Sequence, residues 1–315
     1  MPIDLDMLDD ALKSIEGRHN IHSVNFAGGE PFYYYDVMLE CIERLKRHGI
    51  HLFSLSTNAG WADSAEVAHE KLTELLKLGL GAMYVSADGF HQMNIPLENV
   101  INIIRAGDMA RARGENFNVC VMSTYLGYYT YDCGVNRLTG MIRQTIWEAG
   151  LYPVETFVNA HGRGAYLIPP ELHVNKRLDR KCWEVKIGIL NPAGPSMVSI
   201  DPTGFVDGCF GVPLGNLHKE SLNDIFRRYF NNPGPIVGTL REKGALGLRE
   251  LAVERGFIAA ESYFDECHLC HRARNYLKEH CPDEFGEFLS PAACYPPVLD
   301  NKAHPFEDWN LAQLY

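Results

Sequence analysis

Val24-Asn25-Phe26-Ala27-Gly28-Gly29-Glu30-Pro31 runs from a short apolar strand into two glycines, a carboxylate and a proline. Paired glycines let a chain turn sharply and bring its backbone close to a ligand. Pro31 stops the strand without needing a donor, and the Glu30 carboxylate beside the glycines can accept from an ammonium group. By average residue usage, Gly-Gly-Glu-Pro should arise by chance in roughly one chain of this length in a hundred or fewer.

The pattern around this loop repeats. Leu5, Leu8, Leu12 and Ile15 recur at helical spacing before a strand predicted over 21–26. A helix follows with Asp36 as its cap, Val37, Met38, Cys41, Ile42 and Leu45 on one face, and Gly49 closing it. Strands are predicted at 50–55, 82–85, 117–121 and 154–158, with Ser64 and Pro96 opening intervening helices. Strand and helix alternate about every thirty residues, which argues for a parallel sheet with right-handed crossovers. Five strands are too few for an eight-unit barrel, and the chain opens on a helix where such sheets begin with a strand. In parallel α/β folds, ligands bind beyond the C-terminal strand ends. Ser56-Thr57-Asn58, Ser86 and Asn118 therefore join Gly28–Pro31 as a candidate set of small hydrogen-bonding groups.

Composition narrows the function classes. A net charge of −11 without a basic run repels phosphate backbones, so no nucleic-acid partner is expected. No apolar stretch approaches the ~20 residues needed to cross a bilayer, and Asp4, Asp6, Asp9 and Asp10 stand where a signal peptide would be basic. The expectation is a cytoplasmic protein with no membrane association. Nine cysteines in a reducing compartment read as thiols or metal ligands. Cys41 and Cys120 are expected to pack on apolar faces.

Val24–Pro31 resembles the Gly-Gly-Glu-Pro motif of radical S-adenosylmethionine (SAM) enzymes, which holds the amino group of SAM's methionine part. Leu55-Ser56-Thr57-Asn58 and Val85-Ser86-Ala87-Asp88-Gly89 resemble the family's third- and fourth-strand signatures, and Asn159-Ala160-His161-Gly162-Arg163 its Gly-Arg element. The resemblance implies a partial (β/α)6 TIM-like barrel lacking its first strand, over 1–167. It also implies that Gly28, Gly29, Glu30, Pro31, Thr57, Asn58, Ser86, Asn118 and Arg163 contact SAM, with Ser86 and Asn118 facing its carboxylate or ribose. The family's Cys-x3-Cys-x2-Cys loop, which holds the catalytic [4Fe–4S] cluster about thirty residues before the glycines, has no counterpart here, and only 27 residues precede Gly28. Two readings stand: an N-terminally truncated, inactive piece of an enzyme that has the loop, or a degenerate barrel kept as a non-catalytic binding module. An uncovered edge on a buried parallel sheet favours truncation.

Beyond residue 168 the rhythm stops. Residues 197–200 and 205–209 read as a hairpin joined by Asp201-Pro202-Thr203-Gly204, and Leu222, Ile225, Phe226 and Tyr229 share one helical face. Cys182, Cys209 and the Cys267-His268-Leu269-Cys270 pair supply four thiols, since Cys-x2-Cys spacing lets two sulfurs reach one site from a turn. This resembles the small α+β, Cys-rich auxiliary-cluster domain of SPASM or Twitch radical SAM proteins, expected over 168–290 with a tail at 291–315. The longer SPASM cysteine run is missing and Cys281 fits no scheme, so one auxiliary [4Fe–4S] cluster on Cys182, Cys209, Cys267 and Cys270 is implied, with structural zinc as the alternative. His268 and His271 flank the pair as further candidate ligands or plain helix-start residues.

In a complete parent, the family would cleave SAM reductively and abstract hydrogen from a substrate, here a peptide or protein, with electrons from a flavodoxin or ferredoxin. The alternative is an Fe–S or zinc binding module on a degenerate barrel. Tyr125, Tyr128, Tyr129 and Tyr131 are candidates for a substrate wall or for packing, and Asp88 and His91 for proton transfer or helix capping. Tyr295, Phe306 and Trp309 are expected to pack the tail.

Overall fold

The computed structural model describes residues 1–17, 21–186, 189–291 and 294. They divide into two compact units, one of residues 16–158 and one of residues 1–15 with 159 onward. The tail predicted to pack through Tyr295, Phe306 and Trp309 lies outside the described residues. Among those described, no helix is long and apolar enough to cross a membrane.

After helix α1 (Leu5–Ile15), strands β1 (Val24–Phe26), β2 (Phe53–Thr57), β3 (Leu80–Ser86), β4 (Asn118–Tyr125) and β5 (Val154–Phe157) alternate with helices α2 (Tyr35–Arg47), α3 (Ala65–Lys77), α4 (Leu97–Ala112) and α5 (Gly134–Glu148). The five strands are parallel and lie side by side in chain order. Sequential order without reversal distinguishes a barrel segment from a doubly wound sheet. The expected α/β alternation is present, and the sheet is consistent with a partial TIM-like barrel.

Strand boundaries shift from the sequence reading for local reasons. Residues 50–52 close α2 instead of extending β2: Gly49 takes φ 79°, and the Ile50 N–H returns to the Leu45 carbonyl at 3.0 Å. Asp36 is not the cap. A short 3₁₀ turn, Pro31–Tyr34, precedes α2 with Glu30 as its cap, and Asp36 falls in the first turn of α2, where a negative charge complements the helix dipole. Ser64 does cap α3, accepting from the Val67 N–H at 3.2 Å.

The two faces of the sheet differ. Phe53, Leu55, Met83, Val85, Val119 and Val121 form one core with Ile42 of α2, Leu72 and Leu75 of α3, Val100 and Ile104 of α4, and Ile142 of α5. Burying each such side chain contributes about 1.5–3 kcal/mol. Alternation sends Asn25, Ser54, Ser56, Tyr84, Cys120, Met122 and Thr124 to the opposite face, where Tyr84 is 39% exposed. Fully covered parallel sheets read as continuous apolar runs on both faces. This one has a polar face. Cys41 is buried on α2 as expected, whereas Cys120 stands half-buried on the polar face with its thiol 3.6 Å from the Met122 sulfur.

In the other unit, α1 lies against α8 (Leu222–Asn231), and the Ser14 hydroxyl accepts from the Asn223 N–H at 3.3 Å. Short helices α6 (Gly164–Leu167) and α7 (Cys182–Val185) lead to an antiparallel sheet of β6 (Ser199–Ile200), β7 (Phe205–Cys209) and β8 (Val212–Asn216). The expected hairpin is there. Strand β8 was not expected, because Pro213 and Gly215 weaken its strand signal. Helix α9 (Gly234–Val253) was also not expected; its glycines lower helix propensity, and it breaks at Gly244. Helix α10 (Glu266–His280) starts at its Asp265 cap, which accepts from the His268 N–H at 2.7 Å.

Candidate functional site

Gly28 follows β1 at φ 125°, a conformation that side chains rarely adopt, and a Cβ placed on Gly28 or on Gly29 would meet nothing within 4 Å. The loop is open on the side to which these Cβ positions point. Glu30 is not. Its carboxylate is 7% exposed and accepts from the Asn58 N–H (2.7 Å), the Thr57 hydroxyl (2.9 Å) and the Phe32 N–H (3.2 Å). The sequence reading gave this carboxylate to an ammonium group, but here it fastens the end of β1 to the end of β2. Thr57 in turn accepts from the Trp61 indole N–H at 2.9 Å and the Ala59 N–H at 3.1 Å. The Trp61 ring stacks on Phe32 at 3.9 Å between centroids, so the two loops also share a hydrophobic contact.

Two residues that the sequence reading missed hold the β2 loop from below. Asn99 and Asn102, one turn apart on α4 and buried, donate to the Ala59 and Ala62 carbonyls at 3.1 and 3.0 Å. Two amides at i and i+3 on an otherwise apolar helix face were the available signal. Ser86 ends β3 on the polar face and pairs in register with Met122. Asn118 does not join this set. It opens β4 and pairs with Ala82, four residues, roughly 13 Å of strand, before the Ser86 level. The predicted strand 117–121 stopped four residues short of its observed end at Tyr125, which made Asn118 look closer to a C-terminal edge than it is. Arg163 precedes α6 and belongs to the other unit. Asp88 is fully buried, accepting from the Phe90 and His91 N–H groups, from His91 Nδ1 at 2.8 Å and from the Thr124 N–H at 3.2 Å, which makes it a turn cap. Tyr125 is buried against α5 with its hydroxyl 3.2 Å from Arg143, while Tyr128 and Tyr129 are exposed.

The second set lies in the C-terminal unit. Cys182 opens α7, Cys209 ends β7, and Cys267 and Cys270 sit in the first turns of α10; all four line one cavity. Val185, Leu190, Val212, Leu240 and Ala245 supply apolar wall, and Cys281 is not part of the lining. An ion pair sets the register of two cysteine segments: Arg180 grips the buried Glu266 with Nε–Oε1 at 2.6 Å and Nη2–Oε2 at 2.7 Å. Burial pushes the thiols up, Cys267 to about 12, and Cys209 and Cys182 also upward. For Cys182, the neighbouring Cys270, Cys209 and Cys267 add to the rise. Buried thiols become thiolates only with a compensating cation.

Among the described residues, no group of three or more His, Cys, Asp or Glu is placed to hold a single metal ion. His268 and His271 are buried beside the pair but turned elsewhere: His268 Nδ1 accepts from the Phe264 N–H and His271 Nδ1 from the Gly162 N–H.

Gly244 allows the approach. It takes φ 65°, and a Cβ there would lie 2.8 Å from the Arg180 carbonyl, two residues from Cys182. Gly244→Ala is expected to cost about 1–3 kcal/mol from backbone conformation alone, plus the clash. Chemical denaturation would read the loss, and an unchanged midpoint would contradict it.

Acid should weaken the C-terminal unit. Burial pulls His161 down to about 4 and His268 and His271 to about 3. Below about pH 6.5 the unfolded chain binds protons that these folded histidines refuse, so their contribution is present above that pH and lost on acidification. Asp207, raised by burial to about 6, and Asp265, also raised, act with the opposite sign. His173 is lowered by burial as well, so four histidines outweigh the two carboxyls and stability falls as the pH drops below about 6. Thermal melts at pH 7 and pH 5 test it; a melting point that rises at pH 5 would contradict it.

Residues 2–134 match the family model of the Radical SAM superfamily. The match supports a radical SAM protein, and the superfamily implies SAM and a [4Fe–4S] cluster as cofactors. No curated protein matches the chain.

Proposed function

We propose that this chain, with a radical SAM domain over residues 2–134, works in a SAM-dependent radical enzyme that carries an auxiliary [4Fe–4S] cluster on Cys182, Cys209, Cys267 and Cys270. The observation that carries the auxiliary site is the convergence of four thiols from three separate segments on one cavity. A cluster takes each thiolate on a different iron, and structural zinc is the alternative occupant of the same thiols. In this reading the domain architecture is SPASM- or Twitch-like.

For SAM, the open backbone at Gly28–Gly29 is the contact surface, and Glu30, Thr57 and Asn58 hold it in shape. Pro31 starts the turn that places Phe32 on Trp61, and Ser86 contributes a hydroxyl from the next strand end but one. Asn118 is left out, and Arg163 is kept as a candidate only through its Gly-Arg sequence. In a complete enzyme of this family, SAM and its own [4Fe–4S] cluster supply a 5′-deoxyadenosyl radical that abstracts hydrogen from substrate. The Cys-x3-Cys-x2-Cys spacing for that cluster does not occur among the nine cysteines. These residues therefore bind and orient SAM, and cleavage needs a protein that supplies the three thiolates. A peptide or protein is the proposed substrate, and a flavodoxin or ferredoxin the proposed reductant.

Isothermal titration of the anaerobic full chain with SAM tests the reading. Binding without release of 5′-deoxyadenosine under dithionite is expected. Absence of binding would overturn the SAM site, and release of 5′-deoxyadenosine would overturn the assignment of cleavage to residues outside these 315.

A further inference from the structure

The Thr57 hydroxyl has no hydrogen-bonding capacity left over. A hydroxyl carries one proton and two acceptor lone pairs. The Trp61 indole N–H at 2.9 Å and the Ala59 N–H at 3.1 Å fill both lone pairs, so the proton goes to the Glu30 carboxylate, whose oxygens lie 2.9 and 3.1 Å away. Thr57 is buried, so solvent does not compete for that proton. Trp61 thereby sets the direction of a bond that it does not make.

The turn that carries Trp61 is held against its own preference. Ala59 takes φ 68°, a left-handed conformation that residues with a side chain rarely adopt. Its N–H on Thr57 and the Asn99 amide on its carbonyl keep it there. On the other side, the Trp61 ring lies on Phe32, and Phe32 on Tyr35 at 5.4 Å. Tyr35 is clamped from α3: its hydroxyl donates to Glu74 at 2.7 Å, and the Lys71 ammonium sits 3.8 Å over its ring. The Phe32 N–H is itself bound to Glu30. The indole therefore reaches Glu30 by two routes, one polar through Thr57 and one aromatic through Phe32.

We propose that Trp61 is a positioning residue for the Gly28–Gly29 loop, acting through Thr57 on Glu30 without touching the ligand. This rests on the SAM reading of that loop. With the indole N–H in place, Thr57 donates to Glu30, Glu30 stays bound to Asn58 and Phe32, and the loop is presented in one geometry before ligand arrives. Without it, one Thr57 lone pair is empty and the buried hydroxyl has no fixed orientation. The loop then samples other geometries, and apparent affinity falls with the population of the competent one. Indole suits the role because it is a donor only and cannot take the Thr57 proton for itself.

The test is a double-mutant cycle read by isothermal titration of the anaerobic full chain with SAM. Trp61→Phe keeps a stacking ring and drops the N–H, and it should raise Kd about tenfold, the effect of one hydrogen bond. Trp61→Leu should raise it further, since the stack on Phe32 goes as well. In a Thr57→Ala background, Trp61→Phe should have little further effect, because the hydroxyl it acts through is gone. Trp147→Phe, at an exposed indole beside Tyr152, should change nothing. A Trp61→Phe chain that melts lower but binds SAM with the wild-type Kd has lost only a structural contact, and that result overturns the proposal. Additive effects of Thr57→Ala and Trp61→Phe overturn it too. Where a variant does not fold or titrate, the Trp61 Nε1–H resonance of the 15N-labelled wild type decides: it should shift as SAM binds, and a resonance that SAM leaves unmoved overturns the proposal. A wild-type chain that binds no SAM refutes the SAM reading itself, and the proposal with it.

Discussion

A Cys267→Ala, Cys270→Ala double variant of the full chain should take up no iron–sulfur cluster on anaerobic reconstitution, whereas Cys281→Ala should load like the wild type. Both α10 thiols project into the cavity, and two remaining thiols cannot hold a cubane. Cys281 caps the far end of the same helix and is absent from the lining, so it controls for loss of a thiol as such. Visible absorbance and iron content after desalting give the readout. Full loading of the double variant would remove the four-thiol assignment. Folding need not collapse in the variant, because Leu269, Ala273 and Leu277 still bury the core face of α10.

Glu30→Ala should be the most damaging single change in the sheet unit. It deletes the acceptor for the Asn58 N–H, the Thr57 hydroxyl and the Phe32 N–H at once. Hydrogen bonds to a charged group are worth about 1.5–3 kcal/mol each, and the abandoned donors are buried or half-buried. A loss of about 3–5 kcal/mol in unfolding free energy is expected, together with loss of SAM binding as the Gly28–Gly29 loop separates from β2. Glu30→Gln keeps an acceptor and the side-chain shape, so it should lose less of both. A Glu30→Ala chain with wild-type stability and SAM affinity would show that the carboxylate anchors nothing.

The Gly28–Pro31 loop was legible in the sequence because its residue types are rare together and sit at a strand end. The function of Glu30 was not. Its partners lie 27 and 28 residues on, and only the parallel register of Phe26 beside Leu55 brings them to it. Asn118 went astray through a strand boundary, the feature that local propensity fixes least. The four cysteines were grouped from their spacing alone, and they line one cavity. Their charged surroundings were not legible: an arginine in a polar helix reads as a solvated residue, and only the packing of α10 shows Arg274 to be enclosed. Helix α9 escaped because four glycines masked it, and one of them, Gly244, gives the bend that brings Ala245 to the cavity wall.

The most direct test of the C-terminal assignment is the iron, sulfide and zinc content of the full chain after anaerobic reconstitution, with a Mössbauer spectrum of the iron. Four irons and four sulfides per chain, in the spectrum of a cubane with four thiolate ligands, are expected. One zinc per chain with no sulfide would contradict it.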